Sequence, residues 1–329
     1  MNHQNNLGRS NTRITVLEYC QKKYYFNYYT HSLKEIDEKL WLDTLMLKHL
    51  KSIEMRVGEK THHLLSDYLK FLKKGLANQE KIDELKKDIA QIMIDEFNIS
   101  KNRDYEAGYD RNQRFGLSEH YYKIDVDDRL QEAINKVTNN LDTFISSEWH
   151  DKVLRYFEIA PSTYIESPKR PDYENMRIII DNIPELLNVC ILASPDFGVI
   201  MGENKYIIID RKSGKENLDD EGVPDQIKVY ALKMLIKKGE IELKDLDIKG
   251  YEVYLPSLKE IGGDITAKDI EDIKNKIIND INFQKQFIVD GDVEKNIPLP
   301  HKNFNRTTSA KKCESCTFRK VCEDLKSFE

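Results

Sequence analysis

No stretch of this 329-residue chain is apolar for long enough to cross a membrane: the longest apolar runs, around Leu186 to Ala193 and Tyr206 to Ile209, fall far short of the roughly 18 residues that a span needs. The opening residues, MNHQNNLGRSNTR, have no apolar run behind their basic positions, so they do not read as a secretory signal and a cytoplasmic protein away from membranes is expected. Cysteine is scarce and odd in number, five residues at positions 20, 190, 313, 316 and 322, which argues against a disulfide framework. A phosphate-binding loop is also missing. The run Gly58-Glu59-Lys60-Thr61 lacks the upstream glycine of that motif, so any motor working with this protein must be a separate chain. Nor is there an excess of positive charge: the net charge of -6 weighs against a surface that coats nucleic acid broadly. The 51 basic residues still leave room for a local groove that the sum hides.

What is present suffices for a folded globular protein, with 40% hydrophobic residues for one large or two modest cores. Residues 14–75 carry apolar positions at helical spacing with few breakers and predict two or three helices. A further helix is expected over Lys81–Phe97, a polar and mobile loop with Gly108 and Gly116 over Asn98–Glu119, and a long helix from Asp127 to about Ser147. Near Tyr156 the texture changes. Short β-rich runs at Ser162–Glu166, Arg177–Ile180, Asn188–Met201 and Lys205–Lys212 read as strands of one sheet. Pro224 opens a helix that stops at Gly239, the strand GYEVYL follows, Ala267–Phe287 reads as a last helix, and the tail from Pro298 is a loop carrying three cysteines. The order predicts an α/β fold: a helical region over 1–155, a core over 156–260, and a helix with a cysteine tail over 261–329, all in one integrated domain.

The chemistry concentrates in SPDFGVIMGENKYIIIDRKSGK, residues 194–215. Gly202, Glu203 and Asn204 read as the turn of a hairpin, and Asp196 and Asp210 are each seven residues from Glu203. They therefore fall opposite one another, with Cβ atoms about 5 Å apart and both carboxylates within reach of one metal ion. Side chains alternate along a strand, so Lys212 shares the face of Asp210 and Arg211 points away. Two carboxylates for a metal and a lysine to orient water suit phosphodiester hydrolysis. A charged strand end in solvent is the plain alternative. Pro-Asp occurs three times, at 171, 195 and 224, so the dipeptide alone says little.

Pro195-Asp196 followed by Asp210-Arg211-Lys212 spells the PD-(D/E)XK motif, and IDRKSGK resembles the corresponding segment of RecB-like nucleases. Gln226 and Tyr230, four residues apart on one helix face, resemble the Gln-x-x-x-Tyr motif that follows there and helps to position DNA. VGEKTHHLL resembles the Gly-x-x-x-His motif, placing Gly58 and His62 on a helix that brings an imidazole to the metal. His63 lies beside it, and only the register of the motif selects His62. Glu166 in TYIES resembles a carboxylate that often precedes the hairpin, although an exposed edge-strand Glu explains it nearly as well. The resemblance implies Mg²⁺ or Mn²⁺ held by His62, Asp196, Asp210, Glu166 and the backbone carbonyl of Arg211. Asp196, Asp210, Lys212, Gln226 and Tyr230 would form the catalytic set.

Cys313-x-x-Cys316 and Cys322 offer three thiolates that need a fourth. Cys20, in VLEYCQKKYYFNYY, resembles the amino-terminal cysteine of AddB-type and CRISPR-associated iron-sulfur nucleases, with Gln21 where they carry proline. That resemblance implies a [4Fe-4S] cluster held by Cys20, Cys313, Cys316 and Cys322. Spacing alone leaves structural zinc open. Cys190, inside LLNVCILA, reads as core. The aromatic run Tyr24, Tyr25, Phe26, Tyr28 and Tyr29 reads as helix core rather than a base-stacking surface. Lys311, Lys312, Arg319 and Lys320 form either a phosphate-contacting or a merely solvated basic tail. The implied fold is a restriction-endonuclease-like core, a small mixed sheet flanked by helices, with a helical extension before it. The implied activity is a metal-dependent deoxyribonuclease, exonucleolytic or acting on single strands and ends, in repair, recombination or antiviral defence, with a helicase or defence complex as a possible partner. A non-catalytic or partner-dependent iron-sulfur scaffold that binds DNA, and a nuclease acting on RNA, are the competing readings.

Overall fold

The structure, a computed structural model, describes residues 6–34, 37–106, 115–160, 162–166, 177–179, 183–202, 204–214, 216, 222–239, 243 and 246–324. After the short strand β1 (Gly8–Arg9), four helices occupy the region expected to hold two or three: α1 (Asn11–Tyr19), α2 (Gln21–Tyr28), α3 (Glu38–His49) and α4 (Ile53–Lys73). Each break has a local cause. Cys20 is extended between α1 and α2, and Asp37 and Ser52 accept hydrogen bonds from backbone N–H groups as N-caps of α3 and α4. Strand β2 (Leu50–Lys51), helix α5 (Gln79–Lys101), strand β3 (Gly116–Leu117) and helices α6 (Arg129–Ile145) and α7 (Glu148–Ile159) complete the first half. Of the loop expected over 98–119, the first turn belongs to α5, Gly116–Leu117 form β3, and the last two residues open a one-turn helix, Ser118–Tyr121. Residues 107–114, with Gly108, lie outside the described part.

Strands β4 (Ser162–Ile165), β5 (Arg177–Ile179), β6 (Cys190–Leu192), β7 (Phe197–Met201) and β8 (Lys205–Lys212) follow, then helix α8 (Asp225–Lys237), strands β9 (Asp247–Tyr254) and β10 (Lys259–Asp264), and helix α9 (Ala267–Lys285). The strands do not form the single sheet that the sequence predicts. Among the described residues there is a mixed five-stranded sheet in the order β10-β9-β8-β7-β4, a three-stranded one, β1-β6-β5, and the pair β2-β3. The run Asn188–Met201 breaks because Pro195 has no N–H to give to a ladder; the chain leaves one sheet after Leu192 and enters another at Phe197. Ile180 and Glu203 lie outside the described residues. The tail is not plain loop: it holds two short helices, Ala310–Glu314 and Arg319–Asp324.

Strand β8 is the axis of the fold, buried from Tyr206 to Arg211. Its alternate residues feed two cores. Tyr206 and Ile208 pack with Ile227 and Tyr230 of α8, whereas Ile207 and Ile209 pack with residues of α4, α6 and α7. It pairs parallel with β9, and α8 forms the crossover such a pair requires. Gly250 on β9 makes that packing possible, because a Cβ there would lie 2.1 Å from Cγ2 of Ile227. Tyr24, Tyr25, Phe26 and Tyr29 are core residues, at most 2% exposed, and Cys190 is fully buried. No described helix is long and apolar enough to cross a membrane.

Candidate active site

The hairpin register decides which carboxylates meet. Phe197 pairs with Ile209 and Met201 with Lys205, so the next position outward sets Asp196 against Asp210, as the hairpin arithmetic predicts. The same row extends both ways. Glu166 donates its backbone N–H to the carbonyl of Asp196 at 3.0 Å, and Asp210 pairs in register with Glu252 of β9. Four acidic residues thus stand side by side across β4, β7, β8 and β9.

Helix α4 reaches this row from one side. His62 Nδ1 lies 3.1 Å from Asp196 Oδ1, while His63 turns towards Glu59 at 4.0 Å. Gly58, one turn before His62, lets the helix approach the end of β8, since a Cβ there would lie 3.2 Å from Ser213 Oγ. Ion pairs of Arg56 and Lys60 with Glu96 hold α4 to α5. His62, Glu166 and Asp196 each place a ligand atom within 4.8 Å of the others, and they are the one such group of three among the described residues. Asp210, expected as a co-ligand, stands beside this trio. Its Oδ2 is 2.6 Å from Lys212 Nζ, and its Oδ1 accepts from Gln226 Nε2 at 3.2 Å and Tyr230 OH at 3.1 Å. Lys212 also donates to Gln226 Oε1 at 2.8 Å.

Arg211 does point to the opposite face, yet it takes part electrostatically. Its backbone N–H donates to Asp196 Oδ2 at 2.7 Å, and Nε lies 3.6 Å from the same oxygen. The guanidinium is buried, and Nε and Nη1 have no hydrogen-bond partner. The carbonyl expected as a ligand takes part in none of these contacts. Two residues that sequence reasoning missed complete the set: Glu252 Oε1 lies 3.5 Å from Lys212 Nζ, and Tyr254 OH donates to Glu252 Oε2 at 3.0 Å. The only sequence signal was one acidic residue inside the otherwise apolar strand GYEVYL.

Buried charges of one sign shift one another. Burial first, and then the neighbouring Asp196, push Glu166 up to about 7. Burial and Asp196 likewise push Asp210 up to about 6, against the pull of Lys212. Burial acts upward on Asp196 too, but His62 and Arg211 hold it well below the usual carboxylate range. His62 would be lowered by burial and is instead raised by Asp196. Asp196 is thus ionised, while Glu166 keeps its proton up to about 7 and Asp210 only up to about 6. Such an environment relaxes when a divalent cation replaces those protons. The carboxylate oxygens suit Mg²⁺ or Mn²⁺, and the imidazole nitrogen among them favours Mn²⁺, the softer of the two.

The four cysteines of the predicted cluster line one cavity of about 140 Å³, together with Tyr19, Lys23, Phe26, Arg306 and Phe318. None of the four is in a disulfide, and no three of their sulfurs lie within 4.8 Å of one another. Burial raises the Cys316 thiol, which accepts from the backbone N–H of Phe318, and pushes Cys322 up to about 11. The two ends of the chain are stitched together around this cavity. Lys22 N–H donates to the carbonyl of Asn305 at 3.0 Å, and Asn305 N–H to Gln21 Oε1 at 2.9 Å, so the residue standing where proline is usual has a structural task. Of the basic tail residues, Arg319 lies over the Tyr122 ring at 3.3 Å and Lys312 over Tyr19 at 4.6 Å.

In comparison with known proteins, a family model described as the PD-(D/E)XK nuclease superfamily matches residues 9–323. No curated protein matches the chain.

Proposed function

Because the chain belongs to the PD-(D/E)XK nuclease superfamily, we propose that it is a Mg²⁺- or Mn²⁺-dependent deoxyribonuclease that processes single-stranded or end-bearing DNA. The observation that carries the proposal is the row Glu166, Asp196 and Asp210, met by His62 from α4 and by Lys212 from β8. His62, Glu166 and Asp196 would hold the ion, with Asp210 beside them as a further carboxylate. The bound ion supplies Lewis-acid stabilisation of phosphate charge and acidifies water.

The chain's own groups do the rest. Burial would lower Lys212, but Asp210 and then Glu252 keep it protonated, so its ammonium can orient the attacking water and offset charge growing on the phosphate oxygens. Gln226 bridges Lys212 and Asp210, and Tyr230, protonated because burial and Asp210 raise it, donates to Asp210. These two fix the angle of the carboxylate and the lysine, as an oriented reaction requires.

A [4Fe-4S] cluster on Cys20, Cys313, Cys316 and Cys322 is the second part of the proposal. Four thiolates on one zinc ion at about 2.3 Å would lie within about 4 Å of each other, and the wider spacing around this cavity suits a larger group better. The N–H of Phe318 aimed at Cys316 suits a bound sulfur of either kind. The role is structural, closing the first helices onto the tail. In this reading the protein works in DNA repair, recombination or antiviral defence, alone or beside a separate helicase.

The test is cleavage of end-labelled linear and circular single-stranded DNA by anaerobically purified protein with Mg²⁺, Mn²⁺ or EDTA. Metal-dependent loss of linear substrate with circles spared supports an exonuclease. Equal cutting of both makes it an endonuclease, and no cutting with either metal overturns the proposed activity.

A further inference from the structure

Among the described residues, two arginines have buried guanidinium nitrogens without a hydrogen-bond partner, Arg211 and Arg306. The first lies beside Asp196. The second lines the cavity of the four cysteines, where Nη2 is the orphaned atom. A guanidinium N–H without a partner is a donor waiting for an acceptor, and the acceptors lining the same cavity include the four cysteine sulfurs, the Thr307 hydroxyl and the Glu323 carboxylate. The positive charge of Arg306 already acts on the Cys322 thiol. Its backbone is fixed, since the preceding Asn305 is tied to Gln21 and Lys22.

We infer that Arg306 donates through Nη2 to a metal-bound sulfur of the four-cysteine site, completing the cage that Cys20, Cys313, Cys316 and Cys322 begin. This rests on the proposal that those cysteines hold metal. Four thiolates around iron and sulfide carry net negative charge, and hydrogen bonds to the sulfurs set both the retention of the cluster and its potential. The lysines nearby do not replace the fork: Lys22 donates to the carbonyl of His301 at 2.8 Å, and Lys23 lies over the Tyr19 ring at 5.0 Å.

The test compares wild type, Arg306→Met and Arg306→Lys as full-length, anaerobically purified proteins. Iron and acid-labile sulfide are counted per chain, and the midpoint potential and the rate of bleaching by bathophenanthroline are measured. Arg306→Met should bleach about tenfold faster and be reduced at a lower potential, with Arg306→Lys between it and wild type. A methionine variant with the wild-type rate and potential overturns the inference. Should that variant not fold, a lysine variant equal to wild type in both measurements overturns it equally. Wild-type protein that carries zinc in place of iron sinks the cluster and leaves Arg306 to be judged on zinc release to EDTA, where equal rates in wild type and variants count against it. Wild-type protein with neither metal overturns both.

Discussion

Glu166 and Asp210 hold their protons to about 7 and about 6, against ordinary values of 4.5 and 3.8. A carboxyl group whose pKa is higher folded than unfolded binds its proton more tightly in the native state, so the metal-free protein loses stability as pH rises from about 4 to about 7. A divalent cation competes with those protons and relieves the same repulsion. Mn²⁺ should therefore raise the melting temperature more at about pH 8 than at about pH 5.5, and Asp196→Asn should abolish the difference. An equal rise at both pH values would show that the ion binds elsewhere. Much of this residue-level picture is legible in sequence, because two aspartates equidistant from a hairpin turn must face each other. Glu252 is not legible. Its place beside Asp210 depends on the parallel register of β8 and β9, which no local spacing encodes, since a helix separates the two strands.

Helices α5, α8 and α9 follow from apolar periodicity and caps, and Pro224 and Gly239 bracket α8 as the sequence suggests. The elements that escaped notice had weaker signals. Only two residues separate the end of α6 from the start of α7, so a continuous helical pattern conceals the break. Strand β10 contains Gly262 and Gly263, which dilute any strand pattern. Helix α4 matters most for the site, because it must come close enough for His62 to touch Asp196. Gly58→Leu would put a side chain into the space next to Ser213 and push the helix outward. Its cleavage rate should fall about tenfold or more, as displaced catalytic groups do, while the melting temperature drops by only about 2–4 °C. A folded variant cutting at the wild-type rate would show that this approach is unimportant.

Across the whole molecule, the sequence ends meet. Phe26 of α2 packs on Phe318 with ring centres 5.3 Å apart, and Tyr25 on Phe304 at 4.8 Å. The first core cluster runs from Leu7 through Ile208 to Val321. Sequence order hides such closure, and only the three tail cysteines and Cys20 hinted at it. If a metal group staples the ends, Cys20→Ser should lose visible absorbance and iron together and unfold at a lower temperature; a variant retaining full metal content would exclude Cys20 as a ligand. The central claim, that the row around Asp196 and Asp210 cuts DNA, is tested most directly by comparing wild type with Lys212→Ala on single-stranded DNA with Mg²⁺. The account predicts cleavage that EDTA abolishes and that the variant loses by about a hundredfold to a thousandfold, with folding and DNA binding retained. Undiminished cleavage by Lys212→Ala would contradict it.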